Sequence, residues 1–313
     1  MYDFTKTSMF DILTLLKESI TQLQAHERLS FEVLNPDFIG SSYAGNTIII
    51  EDREYLCRSY KSWVDLAQLL HCKMLTPTVA SEHTVILHFE KLNSDDSFHK
   101  VIKNKEEKYG QESIFSQICK NEESSFIYYY LEALKNVQID KRVRVLNLGV
   151  NSGDEFEALQ QSAKEFKNLE LVGIDYCTSA IEAAKESFKE HTNISFYQHD
   201  INKLQDLNLG EFDLIISIGT LQSSNLEYKP LLMSIVQNQL KKNGAMILGF
   251  PNCRWVDGEM IYGAKVKNYA FSEMGLLYSD VMFAKKYLQQ KKYRVTITGK
   301  DYIFITATSI RKD

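Results

Sequence analysis

From Arg142 onward the sequence alternates short, unbroken apolar runs with stretches of helical spacing, and few folds accommodate that alternation. The runs are Val143–Leu148, Leu171–Ile174, Ile194–Tyr197, Leu214–Ser217 and Ala245–Phe250. Between them, Glu155–Phe166, Ser179–Glu190 and Tyr228–Leu240 carry apolar residues at helical steps. A strand that is apolar along its whole length must be buried on both faces, which a parallel sheet flanked by helices provides. The end of the chain reads differently. Tyr293–Thr298 and Asp301–Thr306 are β-rich runs around Gly299-Lys300, the pattern of an antiparallel hairpin.

The first third lacks this alternation. Phe10, Leu13, Leu16, Ile20 and Leu23 predict one apolar helical face. Phe31–Leu34, Asn46–Ile50 and Thr84–Phe89 read as strands. A second helix is expected from Ser62 to about Met74, with Trp63, Leu66, Leu69 and Leu70 inward and Pro77 beyond its end. The polar, charged stretch Asn93–Lys108 marks a boundary, and a helix rich in aromatics follows, with Phe126, Tyr129 and Tyr130 in its last turns. The organisation expected is a smaller N-terminal α/β domain over 1–95, a helical linker over 96–141 and a sheet domain over 142–313, consistent with a chain of 313 residues.

Composition narrows the function classes. A formal net charge of −5 gives no global basic field for holding a nucleic acid. Five cysteines, odd in number and without a Cys-x-x-Cys pair, argue against a disulfide framework or a structural zinc site and for a reducing compartment. No run of about 18 apolar residues suggests a membrane span, and Met1–Phe10 does not have the form of a secretory signal. A cytoplasmic protein is expected.

The chemistry concentrates where the first strand of the sheet domain ends, at Asn147-Leu148-Gly149-Val150-Asn151-Ser152-Gly153. Ligands of open parallel sheets bind at the carboxyl ends of the strands. A loop there must bring its backbone close to the ligand, which glycine permits. Asn151 is among the few other residue types that tolerate left-handed geometry. Asp175 ends the next strand, about 20 residues beyond the loop, where a carboxylate accepts hydrogen bonds from ribose hydroxyls. Asp200 ends the third strand, placed to accept from an exocyclic adenine amine.

Over about Arg142 to Thr308 these features resemble the class I S-adenosylmethionine-dependent methyltransferases. The resemblance implies a Rossmann-like seven-stranded sheet, mostly parallel with an antiparallel last strand, and S-adenosyl-L-methionine as cofactor. It implies cofactor contacts from Asn147, Gly149, Val150, Asn151 and Gly153, from Asp175 and Tyr176, from Asp200 and Ile201, and from Ser217 and Ile218. Two positions depart from the family pattern: Asn147 stands where Asp or Glu is usual, and Asn151 where Gly is usual. A nicotinamide dinucleotide fold is the rival for the same signals. It places a pyrophosphate on the helix N-terminus, where this chain puts Asp154 and Glu155.

Two later loops face the same edge. Thr220, Gln222 and Ser223 follow the fourth strand and either orient an acceptor or form a turn. Asn252, Arg254 and Trp255 follow the fifth, an arrangement suited to an anionic or planar ligand, and the long segment continuing through Tyr262 reads as a lid. His199 reads as packed or solvated rather than as a base, and no catalytic residue is assigned. His83 and His88 lie five apart on one expected strand, face opposite sides and do not form a metal pair, so no metal is expected.

The expected activity is methyl transfer to a small-molecule acceptor by proximity and in-line orientation. Two alternatives stand: an RNA or protein methyltransferase using residues 1–95 for recognition, with a local basic surface from Arg254, Lys265, Lys267 and Lys300, and a non-catalytic binding protein of the same fold. A homodimer is left open.

Overall fold

The computed structural model describes residues 1–93, 113, 116, 118–223, 225–252, 254–256, 259–261 and 274–311, with side chains described outside 254–256 and 259–261. The chain divides into two compact units, Met1–Ser97 with Trp255–Met260, and Phe98–Arg254 with Ile261–Asp313.

The first unit runs β1 (Tyr2–Asp3), α1 (Met9–Gln22), β2 (Arg28–Leu34), β3 (Thr47–Ile50), β4 (Arg53–Leu56), α2 (Tyr60–Leu69), β5 (Cys72–Met74), β6 (Thr78–Val79) and β7 (Thr84–Lys91). Its main sheet has the order β1-β2-β7-β5, with β6 also on β7, while β3 and β4 form a separate hairpin. Ser8 caps α1 by accepting from the Asp11 amide at 3.1 Å. The buried face of α1 is Ile12, Leu16 and Ile20, packed with Phe31, Trp63, Leu87 and Phe89. Phe10, expected on that face, is 79% exposed. Leu13, Leu16, Ile20 and Leu23 of the expected stripe do pack on this core, and Ile12 rather than Phe10 joins them near the start of the helix. The second helix also ends earlier than expected. It stops at Leu69, which is exposed, and His71 takes φ +56°. Cys72–Met74 then pairs with β7, Cys72 opposite Lys91, because the open edge of β7 satisfies backbone groups there.

The remaining elements are α3 (Ser124–Asn136), β8 (Arg144–Leu148), α4 (Asp154–Ser162), β9 (Glu170–Asp175), α5 (Thr178–Ser187), β10 (Ile194–Gln198), β11 (Phe212–Ile218), α6 (Tyr228–Asn238), β12 (Leu240–Pro251), β13 (Arg254–Val256), β14 (Glu259–Ile261), α7 (Met274–Gln290), β15 (Tyr293–Gly299) and β16 (Tyr302–Ser309). Seven strands form one sheet in the order β10-β9-β8-β11-β12-β16-β15. β10, β9, β8, β11 and β12 are parallel, and β16 runs antiparallel to both β12 and β15. This is the expected Rossmann-like sheet with its reversed last strand. The direction of winding changes between β8 and β11, and ligands of such sheets bind at that switch point.

Apolar side chains cover both faces. One layer joins Phe126 and Tyr130 of α3, Phe156 and Leu159 of α4 and Ile181 of α5 to Val145, Leu171, Leu214 and Phe304. The other joins Leu232 and Ile235 of α6 and Val281, Ala284 and Leu288 of α7 to Leu146, Ile215, Met246 and Ile305. The apolar residues at 281, 284 and 288 recur at helical steps and give α7 its inward face. Leu240, expected to end α6, instead begins β12 opposite Phe212.

The terminal hairpin turns through Lys300 and Asp301, and Gly299 has φ +121° with a Cβ position only 1.9 Å from the Tyr302 carbonyl oxygen. Backbone cannot yield there as a side chain would. Gly299→Ala is expected to cost about 3 kcal/mol of stability, measured by denaturant unfolding. A loss below about 1 kcal/mol would show that the turn relaxes freely.

Candidate functional site

The glycine loop leaves β8 at the switch point and is held to the neighbouring strand by backbone. The Gly149 and Val150 amides both donate to the Ile174 carbonyl, at 2.8 and 3.0 Å. Gly149, Asn151 and Gly153 have φ of +77°, +47° and +101°. Asn151 thus adopts the left-handed geometry that its residue type tolerates and that most others resist. At Gly149 a Cβ would lie 1.8 Å from Thr220 Oγ1, so the loop runs directly against the loop that follows β11.

Asp175 fastens this arrangement. Its Oδ2 accepts from the Asn151 amide and its Oδ1 from the Cys177 amide, both at 2.9 Å. Burial raises its carboxyl above the ordinary range, against the pull of the Cys177, Asn151 and Tyr176 amides. The neighbouring Tyr176 is 45% exposed, while Val150, Ile201 and Ile218 are buried. Asp200 is half-buried and caps the turn beginning at Ile201 by accepting from the Asn202 amide at 2.9 Å. Ser217 is buried and donates to the Leu148 carbonyl at 3.2 Å, tying β11 to the strand that carries the loop. His199 makes a 2.9 Å contact with the Lys203 carbonyl, so its ring serves the local turn.

Beneath the loop lies a network that sequence reasoning missed. Asn147 is fully buried; its Nδ2 donates to Glu155 Oε2 at 3.4 Å, and its Oδ1 has no hydrogen-bond partner. Glu155 is also fully buried, and its other oxygen accepts from Lys120 Nζ at 2.8 Å. Burial raises the Glu155 carboxyl while Lys120 opposes the shift. For Lys120, burial disfavours the charge, but Glu155 and Asp154 outweigh it and hold the ammonium above its usual range. Tyr130 completes the network, its hydroxyl donating to the Glu155 carbonyl at 3.2 Å. Lys120 and Glu155 lie 35 residues apart, so no local spacing announced the pair.

Among the acceptor-side candidates, Thr220 packs against Gly149, and Ser223 closes a turn onto the Thr220 carbonyl. Gln222 is 7% exposed and its Oε1 is buried without a hydrogen-bond partner. The Asn252 amide donates to the Asp301 carbonyl at 2.9 Å, joining the end of β12 to the terminal hairpin. Arg254 and Trp255 fall on β13, with side chains outside the described residues, and Tyr262, Lys265 and Lys267 lie outside them altogether. A cleft of about 230 Å³ lined by Leu204, Gln205, Asn208 and Phe212 sits at the amino end of β11, the opposite edge of the sheet from the glycine loop.

In the first unit, His88 is engaged by Ser30 at 2.7 Å and Thr78 at 3.0 Å. Glu51, Glu82 and His83 bring potential ligand atoms within 4.8 Å of one another, the two glutamates being exposed. Among the described residues no helix is long and apolar enough to cross a membrane.

Residues 139–298 match a family model described as a methyltransferase domain. Over 167 residues the chain is 25% identical to the carboxy-S-adenosyl-L-methionine synthase of Helicobacter pylori strain Shi470, an alignment covering 52% of this chain and 65% of that protein, just under two thirds of its length. Among solved structures, the N-methyltransferase NodS of Bradyrhizobium japonicum, in complex with S-adenosyl-L-homocysteine, is similar at 18% identity and a TM-score of 0.42, over 60% of this chain and 89% of that one. The plantazolicin methyltransferase BpumL is similar at 12% identity and a TM-score of 0.43, over 61% and 87%.

Proposed function

The chain belongs to the methyltransferase-domain family, and we propose that it transfers a methyl group from S-adenosylmethionine to a small-molecule acceptor. The observation that carries this reading is the glycine loop closed onto the carboxylate of Asp175 through the Asn151 amide at 2.9 Å. Gly149 leaves no room for a side chain against Thr220, and the carboxylate keeps lone pairs for ribose hydroxyls. The residues present therefore fit the cofactor: Gly149 to Gly153 around its methionyl end and sulfonium, Asp175 and Tyr176 at the ribose, and Asp200 and Ile201 at the adenine. Asn147, Ser217 and Ile218 act from beneath as supports, since all three are buried.

When bound, the cofactor supplies a methyl group activated by its sulfonium. Transfer would form the bond from acceptor to methyl carbon and break the carbon–sulfur bond, its electron pair staying on sulfur and the acceptor's proton passing to solvent. The protein's task is to hold the acceptor's lone pair in line, and orientation alone lowers such barriers by several kcal/mol. Gln222 is assigned to the acceptor: its unpartnered Oε1 suits a hydroxyl or amine that must donate a hydrogen bond while its lone pair faces the methyl group. Asn252, Arg254, Trp255 and Tyr262 are assigned to the same side, and residues 1–95 to an accessory module. The acidic net charge favours a small molecule over RNA.

Calorimetric titration of the full chain with S-adenosylmethionine is expected to show saturable binding with one site per chain. No detectable heat or thermal stabilisation at millimolar cofactor would overturn the reading. Incubation with labelled cofactor and pooled small-molecule acceptors then separates transfer from binding alone.

A further inference from the structure

Asp154, Glu155 and Glu157 open α4 directly after the glycine loop. Acids at a helix N-terminus suit its dipole, but they repel a carboxylate approaching the same loop. The cofactor proposed above carries one on its methionyl end. Glu155 has no exposed side-chain surface, so water screens its charge poorly.

Lys120 meets this cluster from the segment ahead of α3. Its Nζ lies 2.8 Å from Glu155 Oε1 and 3.8 Å from Asp154 Oδ2, with 7% of the side chain exposed. The adjacent Asn121 donates from Nδ2 to the Asp154 carbonyl and to Glu157 Oε2, both at 3.0 Å. Two successive residues thus strap the first turn of α4. On its far side Glu155 faces Asn147, so the pair extends to the residue that opens the loop. A buried ion pair is rarely more stabilising than apolar side chains of similar volume, and folding alone is a poor account of this one.

We propose that Lys120 is a positioning residue for the methionyl carboxylate of the cofactor: by cancelling the acids that open α4, it lets the glycine loop admit an anionic group. The proposal rests on the S-adenosylmethionine reading of the loop. Asp175, whose carboxyl also feels the Lys120 charge, belongs to the same field.

The test compares two ligands differing in one group, S-adenosylhomocysteine and decarboxylated S-adenosylhomocysteine, by calorimetry on the full chain. Lys120→Met is expected to weaken S-adenosylhomocysteine about tenfold or more while changing the decarboxylated ligand by less than about twofold. Lys120→Arg keeps the wild-type preference. Glu155→Gln leaves the lysine less opposed and raises the preference for the carboxylate-bearing ligand. A pair that only supports the fold would lower both affinities together and leave their ratio unmoved, which would overturn the proposal. Where Lys120→Met does not fold, Glu155→Gln decides, and an unchanged or lowered preference counts against it. Failure of the wild-type chain to bind either ligand would instead remove the cofactor reading, and this proposal with it.

Discussion

Asp175→Ala is expected to weaken cofactor binding about a hundredfold or more while leaving the protein folded. Hydrogen bonds to a charged group contribute about 1.5–3 kcal/mol each, and two ribose hydroxyls are assigned to this carboxylate. The same substitution releases the Asn151 and Cys177 amides, so the loop loses its fastening as well as its ligand contact. Stability follows a different sign. Burial raises the Asp175 carboxyl above its unfolded value, so folding favours the protonated form. Its contribution is favourable at low pH and becomes a cost as pH rises through the shifted pKa. In Asp175→Ala the relief of this buried carboxyl offsets part of the stability lost with the Asn151 and Cys177 hydrogen bonds. Asp175→Asn is no gentle control, because both oxygens already accept backbone N–H groups and the new amide must turn its NH₂ against one of them. In the wild type, cofactor affinity should decline with acidification from a higher pH than an ordinary aspartate imposes. Calorimetry across pH checks both points, and unchanged affinity in Asp175→Ala would show that ribose is held elsewhere.

Gly149→Ala is expected to destabilise the fold by about 2–5 kcal/mol and to abolish measurable cofactor binding. One part is conformational: an L side chain in the left-handed region costs about 1–2 kcal/mol. The other is steric, because the added Cβ would lie 1.8 Å from Thr220 Oγ1 and 2.6 Å from its Cβ. Relief requires the β11 loop to move, which costs about 1–3 kcal/mol for an overpacked site. The double variant Gly149→Ala/Thr220→Gly removes the obstructing side chain and should recover the steric part only. Denaturant unfolding of the single and double variants separates the two parts. Lack of recovery would show that the close approach of these loops is not what Gly149 accommodates.

Much of this site was legible because its parts are local. The spacing from Gly149 through Asp175 to Asp200 follows from strand and helix lengths in a parallel sheet. Asn151 was readable as a left-handed residue from its chemistry, and its φ of +47° agrees. The errors arose where tertiary partners overrode local pattern. Cys72–Met74 continued a helical stretch in sequence, yet the open edge of β7 drew it into the sheet. Phe10 matched an apolar stripe, yet it is exposed, and Ile12 joins the expected Leu16 and Ile20 on the inward face. Asn147 read as a loop residue, and the fold buries it fully with its Nδ2 on Glu155.

By itself, the sequence determined the seven-stranded sheet, its reversed end and the place of the glycine loop at the carboxyl end of its first strand. Those features depend on periodicity and on glycine and acid positions, which act over a few residues at a time. Only the tertiary structure decided how the loop is charged and supported. Glu155 read as a helix-opening acid, and folding removes its water and places Lys120 against it. Gly149 read as room for a ligand's approach, and the fold places Thr220 where its side chain would be. Both depend on residues distant in the chain meeting in a space too small for water or a methyl group, which no spacing along the sequence records.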